Sequence, residues 1–105
     1  MAWVALFFAG LLEILWASTM KLSDGFARPG PTAVTIVAMI GSFGLLSISM
    51  KTLPLSVAYT VWTGVGAVGA FLVGVIFLGE AMTPMRVAAA ALIVAGLVMM
   101  QLSSA

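Results

Sequence analysis

Cysteine and histidine are missing altogether from these 105 residues, and only seven side chains carry a charge, four basic and three acidic. Without thiol or imidazole there can be no disulfide, thiolate nucleophile, iron–sulfur ligand or histidine proton relay, and transition metals lose their usual donors. Both lysines, Lys21 and Lys51, stand at the ends of apolar runs. No nucleophile and base therefore share one polar layer, and neither an enzyme nor a cofactor is expected. A net charge of +1 is too small to attract nucleic acid.

What the chain has in abundance is apolar side chains, 64% of the total. A water-soluble domain of this size cannot hide so much, which makes lipid the expected solvent. The apolar runs cover residues 2–20, 31–50, 55–78 and 84–102. Each approaches the roughly 20 residues that cross a hydrocarbon core of about 30 Å at about 1.5 Å per helical residue. Six of the seven charges lie in or beside the short connections between the runs. The expected fold is an all-α integral membrane protein, a single domain over residues 1–105 with four transmembrane helices and short loops. A spanning β-barrel would need alternation of apolar and polar residues, which these runs lack. A signal peptide is not expected in the first run. It has no basic leading region, is too long and carries Glu13.

Four crossings put both termini and the Lys51 loop on one side of the membrane, with Lys21, Arg28 and Arg86 on the other. The basic residues favour termini outside, by a bias small enough to leave insertion in both orientations open.

Glu13 is the exception to this order. It lies near the middle of the first run, on a stripe with Leu6, Gly10, Ala17 and Met20, one turn before Trp16. An acidic residue at that depth costs about 2.5–3.5 kcal/mol to insert, a burden carried mainly by functional sites. The alternative role is interhelical hydrogen bonding, which Ser, Asn or Gln would supply at lower cost. In the second run Ser42 is the hydroxyl nearest the midplane, free either to join a polar site or to bond back to its own helix. The third run places Tyr59 and Trp62 one turn apart, followed by Gly64, Gly66 and Gly69. Gly66, Ala70 and Gly74 form a small-residue row for close packing, and the clustered glycines also suit a hinge. The fourth run offers small residues such as Ala91 and Ala95 and no chemistry, as an assembly helix would.

Four helices cannot enclose a polar cavity and shield it from lipid, so at least a dimer is expected, with two copies of Glu13 around a shared site. A carboxylate at that depth must be neutralised by a proton or by a bound cation, and the two exclude one another. Alternating exposure of such a site makes a cation/proton antiporter. The residues alone do not specify the cation.

Three motifs narrow the choice: Glu13 three residues before Trp16, the loop KLSDGF (residues 21–26), and KTLPLSVAYTVWTG (residues 51–64). Together they resemble the small multidrug resistance family over the whole chain, and within it the guanidinium exporters, which share the Trp after the Glu and the K-T-L-P loop. The resemblance implies an antiparallel homodimer of dual topology, or a heterodimer with a paralogue, in the bacterial inner membrane. It also implies that Glu13 binds both substrate and proton. Trp16, Ser42 and Trp62 are expected to hydrogen-bond around Glu13, and Tyr59 to line a portal. A planar guanidinium suits a carboxylate through paired N–H donors. The alternatives are export of quaternary ammonium and other multidrug cations, which would use cation–π contacts with Trp62 and Tyr59, or a nontransporting subunit. Ser18, Thr19, Val57, Thr60 and Gln101 depart from the family pattern.

Overall fold

The structure is a computed structural model and describes residues 2–103. It contains four helices, α1 (Ala2–Leu22), α2 (Pro29–Ser49), α3 (Leu55–Phe77) and α4 (Pro84–Ser103), and no strand among the described residues. All four are long and apolar enough to cross a membrane.

Helix ends follow local chemistry. α1 runs on past the apolar stretch through Lys21, whose charge suits the negative end of the helix dipole. α2 begins two residues earlier than the apolar run, because Pro29 and Pro31 fit a first turn whose N–H groups need no partner in the helix. α4 starts at Pro84, with the Arg86 N–H donating to Thr83 Oγ1 at 3.2 Å.

The KLSDGF loop is built around buried Ser23. Its Oγ donates to the Met20 carbonyl at 2.6 Å and accepts the Phe26 N–H at 3.1 Å. Between them Asp24, Gly25 and Phe26 are all left-handed (φ 52°, 69° and 68°). Ser23 thus ties together a reversal that L-residues adopt reluctantly.

The helices form a slab with extents of 42 × 34 × 16 Å, too thin for more than about two helix diameters at 8–10 Å between axes. α1 is central, packed on α2 along one side and α3 along the other, while α2 meets α3 only narrowly. Leu6, Ala9, Leu46, Ala58 and Trp62 make the core. α4 packs only on α3 among the described residues, and none of its residues is buried. Large apolar side chains such as Val37, Ile40 and Leu92 point outward, as lipid-facing residues do.

Candidate functional site

α3 packs on α1 through glycine. A Cβ at Gly66 would run into the Glu13 carboxylate, one at Gly69 would strike Ile14, and one at Gly10 would lie 2.6 Å from Val65 Cγ1. Gly64 faces the other way, against Leu97 of α4. The glycines of α3 therefore serve two interfaces, and α3 itself is one uninterrupted helix. Glu13 reaches the backbone of α3 because Gly66 has no side chain.

The other polar groups at this level satisfy one another. Trp62 Nε1 donates to Ser42 Oγ at 2.9 Å, and Ser42 Oγ donates to the Ala9 carbonyl at 2.7 Å. This relay joins α3, α2 and α1. Ser42 bonds across to α1 instead of back to its own helix, which keeps a buried hydroxyl from loosening α2. Nearer the loop end the Thr19 and Thr35 hydroxyls meet at 2.6 Å, and Thr35 Oγ1 donates to the Pro31 carbonyl at 2.8 Å. The departure at Thr19 is thus an α1–α2 contact.

The expected hydrogen bonds from Trp16, Ser42 and Trp62 to Glu13 are not formed within one chain. Trp62 has one N–H and Ser42 one O–H, and both are already committed to the relay. Glu13 Oε1 and Trp16 Nε1 are instead buried without a hydrogen-bond partner among the described residues.

Trp16 belongs to an aromatic row. Its ring is 6.3 Å from that of Phe43, Phe43 is 5.7 Å from Trp62, and Trp62 is 5.7 Å from Tyr59, centroid to centroid. These separations are those of interacting rings. Phe43 joins the three aromatics expected from sequence and was not anticipated. It is the one aromatic residue of α2 and directly follows Ser42, which is the signal that marks it. Tyr59 also lines, with Thr60 and Thr63, a cleft of about 500 Å³ between α3 and α4. Glu13 does not line that cleft.

Four membrane-crossing helices, with one carboxylate placed inside a span and set against a glycine, are a build suited to moving a charged solute across a membrane. The family model described as Small Multidrug Resistance protein matches residues 1–93, and the chain belongs to that family. It is a multi-pass protein of the bacterial inner membrane. Among its relatives are proteins named guanidinium exporter from Escherichia coli strain K12, 50% identical over 104 residues, and from Salmonella typhimurium strain LT2, 49% identical over 104 residues. A third, from Citrobacter freundii, is also 49% identical, and in each case 99% of both chains is covered.

Proposed function

We propose that this protein exports guanidinium and small substituted guanidinium cations in exchange for protons, working as an antiparallel homodimer in which Glu13 binds either ion. The observation that carries the reading is the Glu13 carboxylate itself, half-buried in mid-span against Gly66 with one buried oxygen unpartnered. An acid at this depth in a membrane is tolerable when a counter-charge or a proton arrives to neutralise it. Guanidinium presents paired N–H donors in a plane and matches the two oxygens of a carboxylate. The half-identical relatives named guanidinium exporter support the same cation. Two slabs packed together would enclose what one slab of 16 Å leaves open.

The test is purified protein in liposomes. Guanidinium should move against an imposed proton gradient, and Glu13→Gln should abolish that exchange. Proton-coupled guanidinium transport persisting in Glu13→Gln would refute the role given to the carboxylate.

One observation favours a second reading, export of aromatic-seeking quaternary ammonium or phosphonium cations. The Phe43, Trp62 and Tyr59 row offers ring faces for cation–π contact. Trp16, packed edge-on against Phe43, fills space that a bulky cation needs. Tetraphenylphosphonium transport without a guanidinium response would put this reading first.

A further inference from the structure

Glu80 lies beyond the end of α3 and outside the relay described above. Gly79, left-handed at φ 69°, turns the chain back, and the Glu80 N–H donates to the Gly74 carbonyl at 3.0 Å. The Glu80 carboxylate then lies over Gly74 so closely that a Cβ there would collide with it. The missing side chain of Gly74 lets an exposed carboxylate lie along the last turn of α3. In that position it lines a cleft of about 190 Å³ with Ser18 and Lys21 of α1, Ala70 of α3 and Leu78 just beyond it.

The cleft and Glu13 share a seam. Ala17 and Lys21 stand one and two turns beyond Glu13 on its own face of α1, and Ala70 and Gly74 stand one and two turns beyond Gly66 on α3. The cleft, lined by Ala17 and Ala70, therefore comes within about 6 Å along the helix axes, one turn, of the level of Glu13 and Gly66. Charge at this end of the molecule runs against a cation, with Lys21, Arg28 and Arg86 opposing only Asp24 and Glu80. Neither Lys21 nor Arg86 forms an ion pair with Glu80 among the described residues. The Arg86 guanidinium donates instead to the Ala81 carbonyl at 3.0 Å.

We infer that Glu80 is a capture site for the exported cation, a carboxylate at the mouth of the α1–α3 seam that binds guanidinium before Glu13 does. The inference rests on the guanidinium reading above. Lys21 lines the same cleft, and its positive charge opposes entry of a cation there. The two side chains thereby set the apparent affinity from opposite directions while leaving the exchange at Glu13 intact.

The experiment measures initial rates of guanidinium exchange in proteoliposomes at low and high salt, for wild type, Glu80→Gln, Glu80→Asp and Lys21→Gln. Glu80→Gln should raise KM by roughly three- to tenfold at low salt, the range of an exposed charge-assisted contact. The difference should shrink at high salt, with kcat within about twofold of wild type. Glu80→Asp should recover much of the loss, and Lys21→Gln should lower KM. Opposite shifts at Glu80 and Lys21 are not what a purely structural role in the turn would give. Wild-type KM and salt dependence in Glu80→Gln, beside active guanidinium transport, would overturn the capture site alone. Wild-type protein that moves no guanidinium would overturn both this inference and the exporter reading.

Discussion

Gly66→Ala tests the geometry of the site with a single methyl group. The added carbon would occupy the place of the Glu13 carboxylate, overlapping its Cδ and both oxygens. Glu13 must then swing away or α1 and α3 must part, an overpacking cost of about 1–3 kcal/mol. Up to about 1 kcal/mol of that returns through the better helix propensity of alanine, leaving a modest loss of stability. The functional loss is expected to be larger, because a displacement of about 1 Å in a binding group can cost on the order of 100-fold. Gly69→Ala is the matched comparison. There the methyl would strike the Cγ1 and Cδ1 of Ile14 and approach its Cβ at 3.3 Å, so packing suffers while the carboxylate itself is not struck. Gly44→Ala, with no atom within 4 Å of its Cβ, controls for glycine replacement as such. Guanidinium KM and kcat in proteoliposomes, with thermal stability in detergent, separate the cases. Gly66→Ala should raise KM at least tenfold while Gly69→Ala and Gly44→Ala stay within about threefold. A correctly assembled Gly66→Ala protein with wild-type KM would refute the claim that Gly66 makes room for the carboxylate.

Two further outcomes follow from the same site. If proton and guanidinium compete for Glu13 as proposed, apparent KM should fall as pH rises from about 6 to about 8, since the competing proton becomes scarce; a KM flat across that range in coupled transport would count against a shared site. Ser42→Ala removes the acceptor of the Trp62 N–H and the donor to the Ala9 carbonyl, and should destabilise the fold by about 0.6–2 kcal/mol in detergent unfolding. An unchanged stability would mean that the relay contributes nothing to helix assembly.

The helices were legible because lipid demands long apolar runs, and the four runs coincide with the four helices to within a turn. Their ends were less so. The apolar count stopped at Met20 and restarted at Pro31, whereas a Lys can close a helix at the interface and a Pro can open one. Glu13 was legible for the same reason as the runs, as the single carboxylate among them. Its partner Gly66 was visible only as one of several glycines, because sequence spacing does not say which neighbour each glycine faces. The structure divides them, Gly66 and Gly69 toward α1 and Gly64 toward α4. The hydrogen bonds were the least legible. Three donors near a carboxylate suggest a ring around it, but Ser42 had the carbonyl of Ala9 within reach and Trp62 had Ser42. Which acceptor a donor takes is decided by helix rotation, which periodicity leaves loose by a residue or so. Phe43 illustrates the same limit, since its place between Trp16 and Trp62 depends on how α2 is turned.

The two groups that remain unpaired define what must complete the site. Glu13 Oε1 can only accept a hydrogen bond when ionised, and Trp16 Nε1 can only donate one. Both are buried without partners among the described residues, one turn apart on α1, at a depth where an unmet polar group is costly. Guanidinium meets half of the requirement. It is all donors, so it can serve the carboxylate and can do nothing for the indole N–H. Trp16 needs an acceptor, and the strongest acceptor that this sequence places at mid-membrane depth is Glu13 itself. A second copy of the chain, turned over so that its first helix runs the opposite way, brings its own Glu13 to that level. The pairing of donor and acceptor would then orient both carboxylates, leaving their remaining oxygens to hold the cation. On this reading Trp16 does more than restrict the size of the substrate. It would supply the donor that makes the binding site a property of two chains, and the partner chain would satisfy the carboxylate oxygen and the indole N–H that one chain leaves unpaired.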